Sequence, residues 1–265
     1  MTVRIRPASA ADFELYVRLL PELEVDDPPP TQEKWRTELM PQTSIAEVNG
    51  AAVGFCWWQR LEGSGYVRQI VTDPSVRRTG AARALLEHVA NELRAAKCTT
   101  WRLNVKPQNT AALALYASLG FRREYGSVSL KVEWPVLERL APSSAEVRVV
   151  TPGEDGEVEA AFALPAGQLA GFRPQRVLLQ AFAEGQRVGF AAFNPHYPGA
   201  FPFRVPVHAH ARAVLEAMRA HSLPGATYCG VVVEGDDALV EVLKRAGAGV
   251  RMVFEHQVGT LGRVG

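Results

Sequence analysis

Residues 71–86 read VTDPSVRRTGAARALL, and this stretch decides the fold of the chain. Its apolar start closes a predicted strand, and the small residues that follow begin a helix with Leu85, Val89 and Leu93 at helical spacing. Another strand is predicted at 100–105. A strand that leads into a helix and then into a further strand requires a crossover connection and at least one parallel pair. The sequence therefore predicts an α/β domain with a mixed sheet.

The start of this helix is suited to bind a phosphate. The first N–H groups of a helix have no partner inside the helix, and they carry a partial positive charge. Small residues let the backbone approach a ligand closely, and preceding arginines can add charge-assisted hydrogen bonds. An ordinary surface loop with solvated arginines explains these residues equally well. The candidate phosphate-binding residues are Arg77, Arg78, Thr79, Gly80, Ala81 and Ala82.

A second segment, residues 109–121, follows the strand at 100–105 and reads NTAALALYASLGF. Asn109 is a suitable N-cap for a helix, and its amide can also bond a ligand beside the helix. Tyr116 follows two helical turns later, roughly on the same face. A phenol at that position could protonate a leaving thiolate. Taken alone, a tyrosine at this spacing is more commonly a core aromatic residue, and Asn109 would be only a cap.

Together, the two segments resemble the GNAT superfamily of acetyl-CoA-dependent N-acetyltransferases. That family carries an Arg or Gln, two residues, a Gly, one residue and then a Gly or Ala at its pyrophosphate loop, and Arg77, Gly80 and Ala82 meet this pattern. The resemblance covers about residues 1–135. The family's later pattern is met by Asn109, Ala112, Tyr116, Gly120 and Phe121.

The resemblance implies that the strand ending near Val71 splays away from the next strand, with the pantetheine arm of acetyl-CoA in the cleft. Backbone groups of Ile70, Val71 and Thr72 would bind this arm, and the loop from Arg77 to Ala82 would bind the pyrophosphate. Tyr116 would be the general acid. The resemblance also implies that an amine, here the primary amine of a small molecule, attacks the thioester directly while strand N–H groups polarise the carbonyl.

One residue that many family members carry is missing. They have a Glu on the strand before the loop as the general base, whereas residues 66–70 contain no carboxylate. Candidates elsewhere are Glu24, Asp26 and Asp27, in a loop that usually overhangs the acceptor in this fold and that suggests a cationic acceptor. An amine of low pKa needs no base. The missing carboxylate leaves open a non-catalytic acyl-CoA sensor, and acyl transfer in thiol or antibiotic metabolism is a third interpretation.

The second half of the chain repeats the first. Asn109, Leu119 and Gly120 are matched, at one constant offset, by Asp236, Ala246 and Gly247, and a hairpin and a long helix recur in the same order. The sequence predicts two tandem GNAT-like domains, each a mixed, mostly antiparallel sheet with a splayed parallel pair, flanked by helices. We expect the acetyl-CoA site in residues 1–140, a linker at 135–145, and a degenerate copy in residues 146–265.

The degenerate copy lacks the residues of the first site. Pro206–Ala211 stands where the phosphate loop should be and contains no glycine and no arginine pair, and Leu243 replaces Tyr116. His208 and His210 have no third ligand nearby in the sequence, so we expect no metal site.

Composition excludes several other classes. The net charge of +1 provides no general attraction to nucleic acid or to an anionic membrane. Three cysteines, Cys56, Cys98 and Cys229, are odd in number and far apart, so they predict buried thiols and not a disulfide framework or a zinc site. Without a predicted signal peptide or membrane span, we expect a cytoplasmic protein, either a monomer or a homodimer.

Overall fold

A computed structural model describes residues 2–24 and 28–262 of the chain. The chain forms two compact units: unit 1 falls within Met1–Glu124 and Glu255–Gly265, and unit 2 is Tyr125–Phe254. Each unit is an α/β domain built on a mixed sheet, as the sequence predicts. The predicted division at residues 140–146 follows the repeat in the sequence, whereas the compact units divide the chain after Glu124 and after Phe254.

The elements of unit 1 follow the predicted order of strand, two helices, three strands, helix, strand, helix, strand. Their bounds are β1 (Val3–Pro7), α1 (Phe13–Leu19), α2 (Gln32–Lys34), β2 (Thr43–Val48), β3 (Ala51–Leu61), β4 (Ser64–Thr72), α3 (Ala81–Ala95), β5 (Thr100–Val105), α4 (Thr110–Ser118) and the first residues of β6 (Phe121–Glu133).

Local chemistry explains several of these boundaries. Asn49 and Gly50 both have positive φ, +51° and +82°, which is the conformation that joins β2 to β3 in a tight hairpin. The Thr31 side chain accepts a hydrogen bond from the backbone N–H of Lys34 and so begins α2. Asn109 caps α4 in the same manner.

The sheet of unit 1 has a hydrophobic core on each face. Neighbouring residues of a strand point to opposite faces, and Phe55 and Cys56 of β3 accordingly belong to different cores. The core around Cys56 contains α3 and Tyr116 of α4. The core around Phe55 contains Tyr16 of α1 and Trp35.

Unit 2 begins within β6 and ends within the last strand. Its other elements are β7 (Glu146–Val149), α5 (Asp155–Ala161), α6 (Gln168–Phe172), β8 (Val177–Ala183), β9 (Gln186–Asn194), β10 (Gly199–Arg204), α7 (Ala211–Ala220), β11 (Tyr228–Glu234), α8 (Asp237–Ala246) and β12 (Gly249–Thr260). The hairpin turn predicted at Glu184–Gly185 is confirmed, with positive φ at both residues. The elements α5, α6, β10 and β12 were not predicted from the sequence.

The last strand of each half of the sequence pairs with a strand of the other half. In unit 1 the order is β1-β2-β3-β4-β5 followed by residues 255–260 of β12, which pair antiparallel with β5. In unit 2, residues 127–133 of β6 pair antiparallel with β11, and the order continues through β10, β9 and β8 to β7. The sequence does not predict this exchange.

The predicted linker at 135–145 is wrong for its first part. Residues Trp134–Arg139 form a short 3-10 helix, and Val136, Leu137 and Leu140 are buried in the core of unit 2. Proline is tolerated in the first turn of a helix, so Pro135 does not prevent this helix from forming. Burial of its apolar side chains stabilises it.

The three cysteines are free and buried, which confirms the prediction of buried thiols. Across the described ranges, no helix is long and apolar enough to cross a membrane. The same residues contain no group of three or more His, Cys, Asp or Glu side chains placed to hold a metal ion.

Candidate active site

The candidate site of unit 1 begins where β4 and β5 separate. These strands pair in parallel from Ser64 and Thr100 to Val67 and Leu103, and no further. Beyond that point, Ile70, Val71 and Thr72 still pair with β3 on one side. Backbone groups alternate in direction along a strand, so those of this segment that point away from β3 are left for another partner on the side that faced β5. The structure thus contains the splayed pair, and the three residues predicted to bind the pantetheine arm border it.

A bulge in β4 accompanies the separation. Trp57 of β3 pairs with Gln69 and Trp58 pairs with Val67, which leaves Arg68 without a partner. Such an extra residue bends its strand and often occurs next to active sites. The Gln69 side chain accepts a hydrogen bond of 2.6 Å from the Tyr16 hydroxyl. Sequence reasoning missed this contact, because a bulge leaves no signal in the alternation of the strand.

The loop between β4 and α3 has a defined conformation. Asp73 accepts hydrogen bonds from the backbone N–H and the hydroxyl of Ser75, and the Thr79 hydroxyl donates to the carbonyl of Val76 at 2.7 Å. Arg78 and Gly80 have φ of +68° and +91°. The loop residues predicted to bind pyrophosphate therefore form one ordered turn.

The helix α3 starts immediately after this turn. Gly80 is its N-cap and has no side chain to satisfy the first N–H groups, and no acidic residue lies in the first turn. These N–H groups can donate to an anion at the positive end of the helix dipole. Ala81 and Ala82 are small enough to leave the approach open.

The two loop arginines differ in their contacts. The Arg77 guanidinium forms an ion pair with Glu22, whereas Arg78 is exposed. About half of the Arg77 side chain is exposed, and an exposed pair of this kind contributes about 0–1 kcal/mol. Replacement of the Glu22 carboxylate by a phosphate as the partner of Arg77 therefore costs little free energy. Arg83, further along α3, donates a 2.7 Å hydrogen bond to the hydroxyl of Ser118 on α4.

Tyr116 lies on α4 in the core that contains α3. It is only 5% exposed, and its ring packs edge-on against Phe121 at 5.8 Å between centroids. Burial raises the pKa of the Tyr116 hydroxyl above its ordinary value, and the nearby Cys56 thiol adds to the rise. A phenol with a raised pKa stays protonated at neutral pH, as a general acid must.

Asn109 caps the same helix. Its side-chain oxygen accepts from the N–H of Ala112 at 3.1 Å, which confirms the predicted cap and leaves its exposed NH₂ group as a donor.

The three carboxylates predicted near the acceptor have different outcomes. Asp26 and Asp27 lie outside the described residues. Glu24 has positive φ, +50°, and its carboxylate lies 3.1 Å from Nζ of Lys106, which also donates to the Glu24 carbonyl at 2.7 Å. The Glu24 side chain is 77% exposed, so this ion pair, like that of Arg77 with Glu22, contributes only about 0–1 kcal/mol.

Unit 2 has a counterpart of the cleft that is spanned by one ion pair and one hydrogen bond. The parallel strands β10 and β11 pair only at Gly199–Ala200 and Gly230–Val231. Beyond this point, Arg204 bonds Glu234 at 2.6 Å and His208 bonds Asp236 at 2.9 Å. A cavity of about 300 Å³ remains between them. Within residues 205–211 no residue has positive φ, so the turn found in unit 1 is absent here.

A larger cavity of about 710 Å³ also lies in unit 2, between β7 and the β8–β9 hairpin. Its walls include Arg148, Glu184 and His210, and His210 bonds the Ser143 hydroxyl at 2.9 Å. The start of α7 borders this cavity through its N-cap His210, but β10 and β11 do not, so the cavity does not reproduce the arrangement of unit 1. The residue in place of Tyr116, Leu243, is fully buried in the core.

In comparison with known protein families, residues 12–121 match the Acetyltransferase (GNAT) family. Ribosomal protein bS18-alanine N-acetyltransferase of Escherichia coli (strain K12) is 40% identical over 82 residues, which are 29% of this chain and 55% of that protein. The chain thus spans about half the length of the curated relatives it matches.

Two solved structures extend the similarity to the whole chain. A GCN5-related N-acetyltransferase from Sphaerobacter thermophilus has a TM-score of 0.71 at 17% identity, covering 98% of this chain and 96% of that one. A tandem GNAT protein from the clavulanic acid biosynthesis pathway has a TM-score of 0.61 at 19% identity, covering 98% and 99%. At these identities the similarity shows the fold alone, which is that of two tandem GNAT-like domains.

Proposed function

We propose that the chain, of which residues 12–121 match the GNAT acetyltransferase family, transfers the acetyl group of acetyl-CoA to the primary amine of a small molecule. One observation carries the proposal: a single unit combines the splayed strands, the open start of α3 and Tyr116. Unit 2 has a splayed pair but neither the turn nor the tyrosine.

The residues of unit 1 have separate tasks in this proposal. The loop from Arg77 to Ala82 holds the pyrophosphate of acetyl-CoA, with Asn109 as a further donor beside it. Backbone groups of Ile70, Val71 and Thr72 bind the pantetheine arm and polarise the carbonyl. The thioester supplies the activated acetyl group.

The transfer itself is a direct attack. The amine nitrogen forms a bond to the carbonyl carbon as the carbon–sulfur bond breaks, which yields the amide and the thiol of CoA. Tyr116 donates its proton to the departing sulfur, and the amine loses one proton to water or to a base. Glu24, Asp26 and Asp27 remain the carboxylates proposed near the acceptor. Gln69 on β4 carries an amide, which cannot act as a general base in their place.

A second acceptor class is the N-terminal amine of a protein. Support for it comes from the 40% identity over 82 residues with an enzyme named for the alanine of ribosomal protein bS18. A second function of another class is an acyl-CoA sensor without turnover, which the missing strand carboxylate favours. For either enzyme function we expect a cytoplasmic location.

The test is release of CoA thiol from acetyl-CoA in the presence of a panel of amines. The panel contains small mono- and diamines, free amino acids and a peptide that begins with alanine. Enzyme without amine measures background hydrolysis. Acetylation of a small amine supports the proposal, and acetylation of the peptide alone assigns a protein substrate. Tight CoA binding without turnover on any acceptor contradicts both enzyme functions and leaves the sensor.

A further inference from the structure

The bulge in β4 places two consecutive polar side chains on one face of the sheet. Gln69 shares the face of its register partner Trp57, which packs with Tyr16 and Phe55. Arg68 lies two residues after Tyr66 and therefore on the same face as Tyr66. In a regular strand, Arg68 and Gln69 would point to opposite faces. The bulge thus brings both of them to the face that lies away from α3.

Arg68 is held there by neutral groups. Its guanidinium lies over the Tyr66 ring at 4.2 Å, and Nε donates a 2.7 Å hydrogen bond to the side-chain oxygen of Gln59. The side chain is exposed, and no carboxylate of residues 2–24 or 28–262 forms an ion pair with it. Stacking and the Nε bond orient the guanidinium while leaving its two terminal nitrogens to bind a ligand.

A neighbouring arginine shows the contrast. Arg102 of β5 is the register partner of Tyr66 and so lies on the same face. Its guanidinium bonds both carboxylate oxygens of Glu124, at 3.0 and 3.2 Å. The charge of Arg102 is balanced within the protein, whereas the charge of Arg68 is not.

Arg68 stands at the mouth of the candidate cleft. It follows Val67, the last residue of β4 that pairs with β5. The opposite face of the sheet is covered by α3, where Gly65 approaches Leu93, and by the core that contains Tyr116. Because the acid protonates the leaving sulfur on the Tyr116 side, an incoming amine reaches the carbonyl from the opposite face, where the core around Phe55 leaves the Arg68 side chain exposed.

We propose that Arg68 binds a carboxylate of the acceptor, so that the acceptor is an amine that also carries a carboxylate group. This inference rests on the proposed acetyl transfer and names the substrate class of the same site. An oriented guanidinium with two free terminal nitrogens matches the two oxygens of a carboxylate. The inference adds a carboxylate to the acceptor amine that the acidic loop suggests; in that loop the Glu24 carboxylate lies 3.1 Å from Nζ of Lys106.

The test compares acceptors that differ only by their carboxylate: alanine with ethylamine, ornithine with putrescine, and lysine with cadaverine. We expect R68Q to lower kcat/KM for the amino acids by roughly 10- to 100-fold, the size of a lost hydrogen bond to a charged group. The amines without a carboxylate should change by less than about 2-fold. R68K should recover part of the loss, since it keeps the charge but not the planar geometry.

The control is R60Q, which removes the same charge from the opposite face. Arg60 is exposed and is the register partner of Gly65, so it points toward the α3 side of the sheet. R60Q should leave every acceptor and CoA binding unchanged. An equal loss on both members of each pair in R68Q, or wild-type enzyme that prefers the amines without a carboxylate, overturns the inference.

A binding measurement separates this inference from the proposed function. Calorimetric titration of alanine, ornithine and lysine into the CoA-bound chain needs no turnover. Binding that is lost in R68Q and retained in R60Q supports the carboxylate site even when no thiol is released, in which case only the acetyl transfer fails. Binding of none of the three amino acids, or binding that R68Q leaves intact, overturns the carboxylate site.

Discussion

Tyr116 has the surroundings of a core residue together with the chemistry of an acid. Its ring is buried against Phe121, and Cys56 lies close to its hydroxyl. Burial raises the pKa of the hydroxyl, so the phenol keeps its proton throughout the neutral range but is a weaker acid than a solvated phenol. At the scale of one residue, the proposed role of Tyr116 therefore rests on its position and not on its pKa.

We expect Tyr116→Phe to lower kcat by about 10²- to 10⁴-fold, because it removes the proton donor while keeping the ring that fills the core. The Kd of CoA, measured by calorimetry, should stay nearly unchanged. Tyr228→Phe is the control, since Tyr228 lies on β11 of unit 2 and its ring contacts Lys131. A Tyr116→Phe enzyme that turns over at the wild-type rate would remove Tyr116 as the acid.

At the scale of elements, the first residues of a helix decide whether its first N–H groups are capped or free to bind an anion. Both α4 and α8 begin with a side chain that caps the third N–H, Asn109 at 3.1 Å and Asp236 at 2.9 Å. The start of α3 is different, because Gly80 has no side chain to offer and adopts φ of +91°. A site for an anion thus arises where a cap is missing and the turn is left-handed.

Gly80→Ala tests this helix start, with Gly50→Ala as its matched control. Both glycines have positive φ, and an added Cβ meets nothing within 4 Å at either, so each substitution should lower the free energy of unfolding by about 1–2 kcal/mol through backbone strain alone. Only Gly80→Ala should also weaken CoA binding. Urea denaturation gives the first quantity and calorimetry the second. Equal CoA affinity in the two variants would place the pyrophosphate elsewhere.

At the scale of the whole molecule, each half depends on the other for a strand. Residues 255–260 of β12 pair with β5 and so complete the sheet beside the candidate cleft. Gly259 is essential to this packing, since a Cβ there would lie 2.4 Å from Nε1 of Trp101 and 3.3 Å from the Phe121 ring. The end of the chain is thus part of the unit that carries the site.

We expect Gly259→Ala to lower the free energy of unfolding by about 1–3 kcal/mol, because the added methyl group overpacks the Trp101 contact. Hydrogen exchange should be faster at the amides of β5 in particular. Gly249→Ala is the control on the same strand, with nothing within 4 Å of its added Cβ, and should change stability by less than about 0.5 kcal/mol. Unaltered exchange at β5 in Gly259→Ala contradicts the assignment of this segment to unit 1.

The sequence by itself determined what depends on neighbours along the chain. The hairpin at Asn49–Gly50, the cap at Asn109 and the helix start at Gly80 all follow from local backbone preferences. Their order predicted a parallel strand pair and two tandem domains. The splay of that pair, the binding role of residues 70–72 and the acid role of Tyr116 were expected from the resemblance of residues 77–82 and 109–121 to the GNAT superfamily.

Tertiary structure alone decided the features that join distant residues. The partner of Glu24 is Lys106, the Arg68 bulge shows only in the register of β4 against β3, and β12 and β6 pair with β5 and β11 of the other half. The physical reason is that ion pairs, bulges and edge pairing depend on which strands become neighbours, and residue order constrains that choice only weakly. The loop from Arg77 to Ala82 was readable from sequence; the face of the sheet on which the bulge places Arg68 was not.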